Sequence, residues 1–181
     1  MARVTLIDPQ DTTGDTRTLL DEVRGAFGVT PAMFRAVANS PAALAMMWGG
    51  FGALGRGRLG ARLGEQIAVM VADRNSCEYC LAAHTALGRK AGASSQEMRE
   101  AQAGRSEDAR TAAALSFAHA LVEGRGQVTD AEVETLRAHG FDDEDVVELI
   151  AHVALNLFTN YLNVALAVPV DFPAVRLQRA G

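Results

Sequence analysis

Both cysteines of the chain fall in one short stretch, Cys77-Glu78-Tyr79-Cys80, and His84 follows four residues after the second. Residues three or four apart share a helix face, so Cys77, Cys80 and His84 are predicted to form a single line of side chains. Two thiols at this spacing can close into a disulfide, and a base beside them can hold one as a thiolate. Reversible thiol chemistry needs both. Glu65 lies one short helix upstream. If the break at Asp73-Arg74-Asn75 folds that helix back, Glu65 can orient His84 directly or through water. Carboxylate, imidazole and thiol would then form the general relay of an activated nucleophile.

Which thiol is activated depends on two competing effects. Ser76 reads as the N-cap of the motif helix, with Cys77 at the first helical position and Cys80 in the first turn. The helix dipole there favours a thiolate at Cys77, an effect worth ~0.3–1 kcal/mol. His84, one turn below Cys80, is a stronger and more specific influence. The spacing therefore favours Cys80.

Other readings of these residues are weaker. Cys77, Cys80 and His84 could be three zinc ligands, with a fourth from Glu65, His119, His139 or His152. None of those four stands at a recognisable ligand spacing, and an isolated C-x-x-C is a weak zinc signal. No metal and no cofactor are expected. A structural disulfide would join adjacent turns and close a tiny loop, with little stabilisation. His119 and His152 sit on apolar helices and are expected to be satisfied core histidines, while His139, before Gly140, reads as a C-terminal helix residue. Met46, Met47, Trp48 and Phe51 form a soft cluster for a core, a subunit interface or the wall of an apolar pocket. Asn160 and Asn163 are expected to satisfy buried backbone or subunit contacts, with a role near the thiols as the lesser reading.

The elements that must position the motif read as helix after helix, so the fold class is all-α. Apolar periodicity and capping signals predict helices at 16–27, 31–38, 41–54, 61–72 and 76–92. Thr30-Pro31 and Ser40-Pro41 open the second and third. Capping boxes at Ser94 and Thr129 start helices at 95–102 and 130–138. An alanine-rich helix covers 106–123, and a long helical stretch covers 142–168. A shift of 83 residues lays Glu65 on Glu148, Cys77 on Asn160 and Cys80 on Asn163, which suggests a duplicated two-helix unit.

The 181 residues read as one domain, 1–181, with an extended N-terminal arm (1–13) and a C-terminal tail (172–181). Hydrophobic residues make up 49% of the chain, which excludes disorder, and the net charge of −5 argues against a nucleic-acid groove. No stretch reads as a leader, and no uninterrupted apolar run approaches the ~20 residues of a membrane helix. A cytoplasmic location without membrane contact is expected, where a lone C-x-x-C is more often catalytic than a staple.

The pattern E-x11-C-x-x-C-x3-H on two short helices resembles the alkyl hydroperoxide reductase D-like branch of the carboxymuconolactone decarboxylase superfamily. Glu65, Cys77, Cys80 and His84 match that branch's motif one by one. The segment from Asn156 to Asn163, ending near Pro169-Val170-Asp171, is similar to the C-terminal helix of its peroxidase-related members. The resemblance runs from about Leu19 to Asp171. It implies thiol-dependent reduction of hydrogen peroxide or organic hydroperoxides, with Cys80 attacking and Cys77 resolving, and an external dithiol as reductant. It also implies a homo-oligomer, a trimer or hexamer, which the surplus of apolar helix surface favours too. Tyr79 departs from the pattern, standing where the best-studied hydroperoxidases of the branch have a second histidine. The alternative function is a thiol–disulfide oxidoreductase or redox sensor that does not turn over peroxide.

Overall fold

A helix that is apolar on every side must be surrounded, and residues 67–72, Ile-Ala-Val-Met-Val-Ala, form such a run. In the computed structural model, which describes residues 1–178, none of these six is more than 2% exposed. They form the middle of a helix around which the others pack. Nine α-helices and no strands occur among the described residues: α1 (Gly14–Phe27), α2 (Ala32–Val37), α3 (Pro41–Leu54), α4 (Gly60–Arg74), α5 (Glu78–Lys90), α6 (Ser95–Gln102), α7 (Ala109–Glu123), α8 (Asp130–Ala138) and α9 (Asp143–Leu166). α4 packs against α5, α6, α7 and α9, while α1, α2 and α3 form a second layer that reaches the rest through α3 and α9.

Local chemistry explains most of the boundaries. The Ser40 hydroxyl accepts from the Ala43 amide and starts α3. Reciprocal capping boxes at Ser94/Glu97, Thr129/Glu132 and Asp142/Asp145 start α6, α8 and α9. Each such cap contributes about 1 kcal/mol. Thr30 does not cap α2. Pro31 holds the N-cap position, and the Thr30 hydroxyl is buried without a partner.

Two other expectations are corrected. The segment matched to the motif by the shift of 83 residues is not a two-helix unit, because Glu148, Asn160 and Asn163 all lie on the unbroken helix α9. α4 ends because the chain turns through a left-handed residue at Ser76, with φ 53°. The equivalent residues of α9 simply continue the helix. The N-terminal arm is not wholly extended either, since Pro9–Asp11 forms a 3-10 turn.

α9 is long and apolar enough to cross a membrane, with a mean hydropathy of 1.4 over its best window. Its polar residues Asn156, Thr159, Asn160 and Asn163 nevertheless point inward and are buried. The helix thus buries a polar-lined face against the protein and leaves apolar side chains, Val147, Ile150, Tyr161 and Val164, exposed.

The tail is tied down along its described length. Ala32 N–H donates to Asp171 Oδ2 (2.6 Å), while Gln102 Nε2 (2.7 Å) and Gln178 N–H (2.9 Å) both donate to buried Asp73 Oδ1. Of the predicted tail 172–181, residues 179–181 lie outside the described residues.

Candidate active site

The site is built at the joint between α4 and α5. After Val71 the chain closes α4 with three backbone bonds: Asn75 N–H to Val71 O (3.1 Å), Ser76 N–H to Asp73 O (3.1 Å) and Cys77 N–H to Ala72 O (2.9 Å). The Asn75 amide donates to Val71 O (2.9 Å) and to Asn160 Oδ1 (3.0 Å), which fastens the joint to α9. Ser76 is therefore part of the turn, not the N-cap. The N-cap is Cys77, whose Sγ accepts the Cys80 amide proton at 3.3 Å. A sulfur occupies the position usually held by a serine or aspartate oxygen. The sequence signal for a serine cap was outweighed by the left-handed geometry the turn requires.

The hairpin brings Glu65 back onto α5. Gly88 allows the close approach: a Cβ there would collide with Met98 and come within 3.3 Å of Glu65 Cβ. With the helices this near, Glu65 Oε2 lies 2.7 Å from His84 Nδ1. The direct carboxylate–imidazole contact is thus present without a bridging water. It occupies Nδ1, so Nε2 is the ring nitrogen left for proton exchange.

Cys77 and Cys80 are both free thiols and buried, 1% and 2% exposed. The hydrogen bond from the Cys77 thiol is the largest influence on Cys80 and lowers its pKa. Burial opposes this, while the charge of His84 and the amides of Asn163 and Asn160 assist, leaving Cys80 at about 6 against an ordinary 9.0. Cys77 moves upward, because it donates that bond and is itself buried. For His84, burial disfavours the charged ring, but the charge and hydrogen bond of Glu65 prevail, with help from Cys80, and its pKa is raised above 6.5. Both shifts favour the pair of Cys80 thiolate and His84 imidazolium.

Asn163 is a site neighbour, the lesser of the two roles expected of it from sequence. Its Nδ2 donates to Cys80 Sγ at 3.2 Å and to Met33 Sδ at 3.1 Å. The shift of 83 residues had aligned Asn163 with Cys80, but nothing in the sequence says that the two meet. Tyr79, the departure from the resembled pattern, has a structural role. Its hydroxyl accepts from Met33 N–H (3.3 Å) and also bonds the Asp171 carboxylate. Its ring meets Phe172 edge-on at 5.7 Å. Burial pushes its pKa up, so it remains a neutral phenol.

Cys80, His84 and Glu65 line one cavity of about 310 Å³. Half of the remaining wall residues are aromatic: Phe27, Phe34, Trp48, Phe51, Tyr79 and Phe172. Of the soft cluster, Trp48 and Phe51 therefore line the cavity, Met47 is core and Met46 is 51% exposed. A smaller cavity of about 120 Å³ touches the Glu65–His84 pair from another side and includes His152 and Asn156.

His152 is not the satisfied core histidine expected. Its Nε2 is buried without a hydrogen-bond partner, 3.9 Å from Glu148 Oε1, and burial lowers its pKa below 6.5. His119 is not core either, with its side chain 35% exposed. His139 does end its helix, bonding Thr135 O at 2.8 Å. Among the described residues no group of three or more His, Cys, Asp or Glu side chains is placed to hold a metal ion.

Comparison with known proteins agrees with this geometry. Residues 38–123, which span α3 to α7, match the carboxymuconolactone decarboxylase family. An uncharacterized peroxidase-related protein from Silicibacter sp. TM1040 superposes with a TM-score of 0.82 at 26% identity, over 93% of this chain and 91% of that one. The alkylhydroperoxidase AhpD core of a peroxidase-related protein from Ralstonia eutropha JMP134 gives 0.86 at 25% identity, over 94% and 92%. The debrominase Bmp8 C82A, in complex with 2,3,4-tribromopyrrole, shares the fold with a TM-score of 0.79 at 17% identity, over 94% of each chain. No curated protein matches the sequence. Residues 38–123 thus carry the carboxymuconolactone decarboxylase family pattern, and the fold is that of alkyl hydroperoxide reductase D-like, peroxidase-related proteins.

Proposed function

We propose that this alkyl hydroperoxide reductase D-like chain is a thiol-dependent peroxidase that prefers organic hydroperoxides. The observation that carries the reading is the Glu65–His84 contact of 2.7 Å at the wall of an apolar cavity that also holds Cys80. The Cys80 thiolate attacks the distal peroxide oxygen, forming an S–O bond as the O–O bond breaks. The alkoxide leaves as an alcohol with a proton from His84, and Glu65 stabilises the imidazolium that supplies it. The Cys77 thiol then attacks the Cys80 sulfenic acid, closing the disulfide and releasing water. An external dithiol restores both thiols. In total, one hydroperoxide and one dithiol become an alcohol, water and a disulfide.

The aromatic wall supports the preference for an organic substrate. Hydrogen peroxide gains nothing from Phe34, Trp48 or Phe51, whereas an alkyl or aryl group buries apolar surface worth about 25 cal/mol per Å². The same wall would admit a flat halogenated aromatic, but the likeness to Bmp8 reaches only the fold.

Assembly belongs to this reading. Val147, Ile150, Tyr161 and Val164 on α9 and Met46 on α3 are between 42% and 66% exposed. A homo-oligomer that covers this face accounts for them.

The test is consumption of cumene hydroperoxide and of hydrogen peroxide with dithiothreitol as donor. Faster turnover of the organic substrate supports the reading. Stoichiometric oxidation without turnover leaves a redox sensor.

A further inference from the structure

Cys77 and Cys80 open onto different cavities. Cys80 lines the aromatic one, and Cys77 is not among its lining residues. Cys77 instead lines a second cavity of about 200 Å³ between the α4–α5 turn and the end of α9, with Ser76, Glu78, Asn163, Val168 and Val170. Ser76 and Glu78, on either side of Cys77, are both exposed, as is Val170. Asn163 belongs to this second wall and also holds Cys80 Sγ, and Tyr79, between the two cysteines in the chain, lines both cavities.

We propose that the two thiols are served from opposite sides: hydroperoxide reaches Cys80 through the aromatic cavity, and the external dithiol reaches Cys77 through the second. This rests on the peroxidase reading for the oxidising half of the cycle only. In the reducing half, a donor thiolate attacks Cys77 Sγ. The Cys77–Cys80 bond breaks and its electron pair leaves on Cys80. The donor's second thiolate then attacks its own sulfur in the mixed disulfide, and Cys77 departs and takes up a proton. The donor ends as a disulfide and the protein as a dithiol.

The leaving-group chemistry agrees with the cavities. A disulfide is cleaved faster when the departing thiolate is the more stable one. Cys80 is that group, because His84, Asn163 and the Cys77 thiol hold its negative charge, whereas burial and hydrogen bonding push the Cys77 pKa up. Attack at Cys80 would expel the poorer leaving group and would have to cross the space the hydroperoxide uses. Division of the site keeps the donor from competing with the substrate.

The experiment forms the disulfide with diamide, so that it does not depend on peroxide chemistry. Oxidised protein is mixed with 2-mercaptoethanol, a monothiol, in the presence of N-ethylmaleimide, quenched with acid and mapped by peptide mass spectrometry. The expected product carries mercaptoethanol on Cys77 and maleimide on Cys80. Mercaptoethanol on Cys80 overturns the proposal, and so does failure of diamide to form the disulfide. In a second arm, Val170→Phe narrows the mouth at Cys77, and Gly52→Leu, at a glycine in the wall of the aromatic cavity, narrows the space at Cys80. Val170→Phe should slow dithiothreitol reduction of the disulfide at least about tenfold and leave oxidation by cumene hydroperoxide unchanged, and Gly52→Leu should do the reverse. The opposite pattern, or equal effects, overturns the division. If peroxide fails to oxidise either protein while Val170→Phe still slows reduction, the peroxidase reading falls and the assignment of Cys77 stands.

Discussion

Asn163 on α9 donates its amide to Cys80 on α5 across 83 residues of sequence, at 3.2 Å. The contact joins the last helix of the fold to the thiol on which the chemistry depends. It also selects the anion, because an amide N–H aimed at a sulfur stabilises thiolate over thiol. Hydrogen bonds to charged groups are worth about 1.5–3 kcal/mol, and about 1.4 kcal/mol corresponds to one pH unit. Asn163→Leu should therefore move the midpoint of Cys80 alkylation up by about one pH unit, measured with iodoacetamide across pH 4 to 10. An unchanged midpoint would reduce the contact to packing.

The pH profile of the native protein follows from the opposite shifts of Cys80 and His84. The Cys80 pKa is lowered to about 6, so thiolate is lost only as pH falls through about 6. The His84 pKa is raised, so its cation persists above 6.5 and disappears as pH climbs through the raised value. The alkylation rate should rise through about pH 6, well below the ordinary cysteine range. Glu65→Gln removes the charge that raises His84, and His84→Gln removes the cation itself. Both should move the Cys80 midpoint upward, and a profile that matches the native protein in both variants would remove the pair from the relay.

The cysteines should separate by role. Cys80→Ser should abolish hydroperoxide reduction. Cys77→Ser should keep one oxidisable thiol that stalls as a sulfenic acid, detectable with a dimedone adduct on Cys80. Normal multiple turnover by Cys77→Ser would contradict the two-thiol cycle.

Tyr79 and Gly88 test the scaffold. Tyr79→Phe leaves the Met33 amide without its buried acceptor and removes a bond to Asp171, which should cost about 1–3 kcal/mol in chemical denaturation. Thiol reactivity should persist, because the phenol does not touch a sulfur. Gly88→Ala forces Met98 and Glu65 apart from α5. It should slow Cys80 alkylation near neutral pH by loosening the Glu65–His84 contact, whereas full retention of reactivity would show that the helices adjust without loss.

The outward face of α9 should hold copies together. Val147→Glu with Ile150→Glu adds charge to that face without entering the core, and light scattering should then report a smaller species than the native protein gives. A native chain already monomeric at low concentration would contradict the assembly.

The all-helical fold was legible because its signals are local. The Ser40, Ser94 and Thr129 caps and the apolar run 67–72 each specify an element within a few residues of themselves. Glu65 and His84 were legible as partners because a predicted break lay between two short helices. The signals that misled were those whose outcome depends on distant contacts. Ser76 looks like a cap, but the turn needs a left-handed residue there and passes the N-cap to Cys77. Asn163 looks like a structural amide until α9 is packed against α5. His152 looks satisfied until the position of Glu148 is known, 3.9 Å away. Periodicity gives the face of a helix, but not what that face will meet.

The most direct test is a single turnover without added dithiol. Fully reduced protein is mixed with one equivalent of cumene hydroperoxide, and thiols and cumyl alcohol are measured together. The account predicts loss of both thiols, a Cys77–Cys80 disulfide and one alcohol per chain, at a rate that collapses in Cys80→Ser. Alcohol formation that persists in Cys80→Ser, or thiols that survive the peroxide intact, would contradict it.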